Sequence, residues 1–137
     1  MLKLVVSYLA TAAVFVTMDA GWLTIMGPKV YKPVIGPLLA KTVDPGAAVA
    51  FYLLYIVGLM VFAIRPALAG ADWRLAPLYG ALLGLVAYGT YDLTNQATLR
   101  LWSIGITVAD LGWGMTASAI ASTAGFFAAK ALSEGGR

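Results

Sequence analysis

Three carboxylates stand in apolar surroundings: Asp19, Asp92 and Asp110. Asp92 lies in Tyr88-Gly89-Thr90-Tyr91-Asp92-Leu93-Thr94-Asn95-Gln96-Ala97-Thr98-Leu99, which adds two amides and the hydroxyl of Tyr88 to an otherwise greasy segment. Asp19-Ala20-Gly21-Trp22 and Asp110-Leu111-Gly112-Trp113 both read Asp-x-Gly-Trp. On a helix that spacing puts acid and indole on one face, a turn apart. Tyr52 and Tyr55 share a face by the same rule. A protonated carboxyl donates while an ionised one accepts, so such a group of acids can exchange protons or hold a cation. Asp92, Asp19 and Asp110 are therefore the catalytic candidates. Trp22, Tyr52, Tyr55, Tyr88, Asn95, Gln96 and Trp113 join them as the expected ligand-binding set. The competing reading is that the acids only tie helices together, but interhelical hydrogen bonds in membranes average about 0.6 kcal/mol, a small return on three acids.

Composition narrows the chemistry. Of 137 residues 61% are hydrophobic and 11% charged, against about 25% charged in an ordinary soluble domain. Mean hydropathy is +0.87, which places the chain in a membrane. Absent cysteine and histidine remove disulfides, the usual zinc and haem ligands and the commonest general base. No cofactor and no metal are expected. The formal charge of +3 comes from scattered Lys and Arg at segment ends, which suits anionic headgroups and not nucleic acid.

The elements that must position these residues follow from hydropathy and from glycine and proline. Spans are expected at about 4–26, 46–64, 77–99 and 105–130, each long enough for a hydrocarbon core of roughly 30 Å. Ala10-Thr11-Ala12 has the form of a signal cleavage site, but the apolar run continues past it, so the first segment reads as a retained span. Gly27-Pro28 is expected to end the first helix and Arg65-Pro66 the second. Between them, the stretch from Lys29 to Pro45 reads as an interfacial loop with one short amphipathic turn. Gly80 and Gly84 form a small-xxx-small row continuing through Tyr88 and Asp92; Gly114, Ala117, Ala121 and Gly125, beside Ser118 and Ser122, form another. Trp102 reads as a headgroup-belt residue, Arg100 as a headgroup contact, and the chain from Leu132 to Arg137 as a polar tail.

The expected fold is an all-α membrane protein: four transmembrane helices in up-down order, with a short interfacial segment between the first and second, forming one domain over residues 1–137. Alternating helices put the three acids and both tyrosines at one depth, in an acidic, aromatic and amide-lined pocket expected in the outer half of the membrane. Lys3, Arg65, Arg74, Lys130 and Arg137 fall on the side of the termini and Lys29, Lys32, Lys41 and Arg100 on the other, a slight vote for cytoplasmic termini.

Asp19-x-x-Trp22, Phe51-Tyr52-Leu53-Leu54-Tyr55, Tyr88-Gly89-Thr90-Tyr91-Asp92-Leu93-Thr94-Asn95 and Asp110-Leu111-Gly112-Trp113-Gly114 resemble the marks of a bacterial family of small predicted membrane proteins of unknown function. The resemblance covers nearly the whole chain and implies a bacterial inner membrane, but supplies no activity. Three functions remain open. The first is binding or transport of a small lipophilic or cationic molecule with proton exchange on Asp; the second is an intramembrane enzyme acting on a lipid or isoprenoid-like substrate by Asp acid–base chemistry. The third is a structural subunit or assembly factor. The partners expected are membrane lipids, a second copy of the chain and the small ligand.

Overall fold

The computed structural model describes residues 1–134, all helix and turn without strands. The first helix, α1 (Leu2–Met26), does not stop at Pro28. It runs through a π-helical turn (Gly27–Tyr31) into α2 (Lys32–Ile35) and a 3-10 turn (Gly36–Leu38). The second expected span behaves alike: α3 (Pro45–Leu59), a π turn (Met60–Ile64), then α4 (Arg65–Ala69). Both corrections have one cause. The N–H of Lys32 reaches the carbonyl of Gly27, and that of Arg65 reaches Met60, each five residues back; Pro33 and Pro66 come next. A proline ring clashes with the carbonyl four residues before it, and a widened turn gives that carbonyl room, so the helix bends instead of ending. The loop expected over 29–45 is therefore largely helical.

Asp44 starts α3 as a capping residue, its Oδ1 accepting the N–H groups of Gly46 at 2.8 Å and Ala47 at 3.2 Å, with Pro45 at the first position. The chain continues with α5 (Leu75–Thr98) and α6 (Ile104–Glu134). Ser103 caps α6 by accepting from the N–H of Ile106. Leu132 and Ser133, expected in a tail, lie within α6, and residues 135–137 lie outside the described residues.

Three helical stretches are long and apolar enough to cross a membrane: Leu2–Leu38, Pro45–Ala69 and Ile104–Ser133. The expected fourth, α5, is long enough at 24 residues but falls short in apolarity. Its second half, from Thr90 to Thr98, is the reason: that stretch holds Asp92, Asn95, Gln96 and three threonines. This is a helical membrane protein that buries hydroxyls beside its apolar core and turns large apolar side chains outward. Ser7, Thr11, Ser118 and Ser122 are buried, while Leu53, Leu54, Phe62, Val86 and Val108 point outward. Polar groups lack water partners in hydrocarbon, so they turn inward.

Close backbone approach joins α5 to α6. A Cβ on Gly80 would come 2.6 Å from the Ser118 carbonyl oxygen, and one on Gly84 would meet the backbone of Gly114. Across the other face of α6, Ser7 of α1 donates to the Gly125 carbonyl at 2.8 Å. Both small-residue rows expected from the sequence are thus spent inside the molecule, around a core of Phe15, Ile56, Leu59, Ala117 and Ala121.

Candidate functional site

The two Asp-x-Gly-Trp motifs meet on neighbouring α1 and α6, and their partners are exchanged. Trp113 Nε1 of α6 donates to Asp19 Oδ1 of α1 at 3.1 Å. Trp22 Nε1 of α1 donates to the Tyr31 hydroxyl at 2.8 Å, and that hydroxyl donates to Asp110 Oδ1 of α6. Each acid is thus served by the other helix's indole, once directly and once through Tyr31. The two indoles stack with centroids 4.4 Å apart and planes inclined by 9°. Tyr52 of α3 completes Asp19 by donating to Oδ2 at 2.7 Å.

Beside this network lies a cavity of about 750 Å³, within the ~300–1,000 Å³ range of small-molecule sites. Asp19 and Asp110 are its acids; Trp22, Trp113, Tyr31, Tyr55, Tyr88, Tyr91, Trp102 and Phe51 give it aromatic walls. Tyr31, Lys32, Ile35 and Leu39 close one side, because the continuation of α1 leans over the ends of α5 and α6 far enough for Tyr31 to reach Asp110. Leu23, Leu39 and Phe51 line the cavity and remain exposed, so it opens sideways between helices.

Asp92 is brought to the acids but not to the cavity. It has no exposed surface, does not line the hollow, and faces the Asp110 carboxyl from behind. Neither of its oxygens has a hydrogen-bond donor among the described residues. Two acceptor-only carboxylates in contact need a proton or a cation between them. Asp19 has both oxygens met, by Tyr52 and Trp113; Asp92 has neither.

Of the other expected site residues, Trp22, Tyr55, Tyr88 and Trp113 line the cavity. Tyr55 bonds Ser118 Oγ at 2.7 Å and so is fixed to α6. Tyr52 stands outside as a partner of Asp19. Asn95 and Gln96 do not line it; Gln96 Oε1 accepts from Thr107 at 2.7 Å, which in turn accepts from Trp102 Nε1 at 3.1 Å. Trp102, expected in the headgroup belt, is thereby drawn in as a wall, with Tyr91 edge-on at 5.6 Å. Arg100 stays exposed, and the basic residue at the cavity is Lys32.

Sequence reasoning missed Tyr31, Lys32, Phe51 and Tyr91. The signal for Tyr31 lies in the aromatic and aliphatic residues of 30–39, which the interspersed prolines disguise as a loop. The groups present can bind a positive charge by carboxylate and by aromatic face, or pass a proton along Asp92, Asp110 and Tyr31.

The family model described as "Predicted membrane protein (DUF2177)" matches residues 4–127. No curated protein and no solved structure matches the chain.

Proposed function

Because this chain belongs to the DUF2177 family of predicted membrane proteins, a description that names no activity, we propose its function from the cavity: it binds a lipophilic molecule carrying a cationic group, with proton exchange at Asp92 and Asp110. The observation that carries the reading is a hollow walled by aromatic rings and two acids, backed by a carboxyl with no donor. A cation over an aromatic face gains about 0.5–2 kcal/mol, more as water is excluded. An arriving cation supplies the charge that Asp110 otherwise needs from a proton, so ligand and proton compete for one place.

In this reading α5 crosses the membrane as a fourth span. Its exposed Thr90, Thr94 and Thr98 donate to the carbonyls of Val86, Thr90 and Thr94, four residues back, which leaves methyl groups towards lipid. Both termini then share one side, and the Lys and Arg distribution favours the cytoplasmic side of a bacterial inner membrane. The subunit alternative draws less support, since the small-residue rows that would grip a partner are occupied by α1, α5 and α6.

The test is a titration of the purified protein in dodecyl maltoside with dodecyltrimethylammonium, followed by tryptophan fluorescence. Saturable quenching is expected, weakened about tenfold or more when Asp19 and Asp110 are both changed to Asn. Linear, non-saturating quenching identical in the variant overturns the proposal.

A further inference from the structure

Charge around the cavity has an order. Asp19 and Asp110 are each 6% exposed and so deep, whereas Lys32 is exposed at the edge and makes no ion pair among the described residues. Lys32 follows Tyr31, the residue whose hydroxyl holds Asp110, so the positive mouth and negative interior are consecutive on one turn. A simple cation approaching this site meets like charge first. A simple anion passes Lys32 and is then refused by two acids. Only a molecule with its ammonium leading and an anionic group just behind it finds attraction at both positions, and complementary placement of both signs is how a site selects one partner and rejects others.

We infer that the cavity takes the head of a zwitterionic amphiphile, ammonium inward between Asp19 and Asp110 and phosphate outward on Lys32, with its acyl chain left in the membrane; this rests on the cation-binding function proposed above. The aromatic walls suit an alkylated ammonium, which offers a diffuse charge and no need for many acceptors. Leu23, Leu39 and Phe51, exposed at the edge, give the chain an apolar way out into the bilayer. A tailless head lacks that contact and must reach the site from water without an apolar anchor.

The experiment compares dodecylphosphocholine, dodecyltrimethylammonium, dodecyl phosphate and free phosphocholine as probes of the full chain in dodecyl maltoside, by tryptophan fluorescence against mole fraction or concentration. The zwitterionic amphiphile is expected to saturate first, ahead of the cation, with the phosphate and the tailless head weakest. Lys32→Ala is expected to weaken dodecylphosphocholine on the order of tenfold while leaving or strengthening dodecyltrimethylammonium, with Lys32→Arg close to the parent. Arg74→Gln, at the far end of the bundle, is the control. Binding of the cation as tightly as the zwitterion, or an unchanged preference in Lys32→Ala, overturns the inference and leaves the cation site standing. Tight binding of free phosphocholine overturns the amphiphile in favour of a soluble solute. No saturable binding by any probe overturns both this inference and the function beneath it.

Discussion

Trp22 and Trp113 lie face to face, 4.4 Å between centroids, although 91 residues separate them in the chain. The stack joins two copies of one short motif from antiparallel helices, and each indole N–H is spent on the opposite helix's acid or on the tyrosine that holds it.

Changing either tryptophan to Phe is expected to abolish the far-ultraviolet exciton couplet of the stacked pair, since one indole cannot couple alone. Trp113→Phe should also cost more stability than Trp22→Phe. Both lose a stacking contribution of about 0.5–1.5 kcal/mol, but only Trp113 donates directly to a carboxylate, a bond worth about 1.5–3 kcal/mol. Circular dichroism and thermal unfolding in detergent check both statements.

Tyr31→Phe removes the donor that meets Asp110 and the acceptor that meets Trp22. A loss of about 1.5–3 kcal/mol is expected. Tyr52→Phe should cost less, because Asp19 keeps Trp113. Equal unfolding midpoints for the two variants would refute the assigned division of donors.

Gly84 and Gly112 form a matched pair for packing. A Cβ on Gly84 runs into the backbone of Gly114, so Gly84→Ala is expected to destabilise by about 1–3 kcal/mol. Nothing lies within 4 Å of a Cβ on Gly112, and Ala there should be neutral or stabilising by up to about 1 kcal/mol. Unfolding curves in one detergent decide between them.

Asp92→Leu replaces a buried, donorless carboxyl with an apolar group of similar volume. Leu removes both the desolvation cost of that carboxyl and the proton it shares with Asp110, so the thermal unfolding midpoint in detergent should move little, by less than about 1 kcal/mol of stability.

Cation binding to the parent protein is expected to release about one proton, the one otherwise shared by the two acids, as acceptor-only groups in contact require. Calorimetry in two buffers of different ionisation enthalpy measures it. Asp92→Asn should bind within a few-fold of the parent, since Asp92 does not line the cavity, yet release almost none. The sign of the pH dependence follows: protonating the Asp92–Asp110 pair removes negative charge, so affinity for the cation falls as pH is lowered.

Much of this molecule could be read in one dimension. Hydropathy alone marks the long apolar segments, because hydrocarbon admits only chains that satisfy their own backbone groups. The rows through Gly80 and Gly84 and through Gly114 and Gly125 followed from helical period and residue size, and they are the observed contacts. The recurrence of Asp-x-Gly-Trp pointed to Asp19, Trp22, Asp110 and Trp113, all of which line the cavity. The helices continue past Gly27-Pro28 and Arg65-Pro66 because a rule about one residue does not see the π turns that make room for the rings of Pro33 and Pro66. A helix that stopped at Pro28 would put Tyr31 and Lys32 in a loop, away from Asp110.

Residue types and spacing by themselves determined that the chain is helical, that it belongs in a membrane and that its acids are few and set among aromatics. Only the tertiary structure decided that the two indoles trade acids, that Tyr31 stands between Trp22 and Asp110, and that Asp92 is brought up behind Asp110 without a donor. The reason is physical: periodicity fixes which side of a helix a group occupies, whereas a hydrogen bond depends on which helix is turned towards that side, and that choice is made by the packing of all of them together.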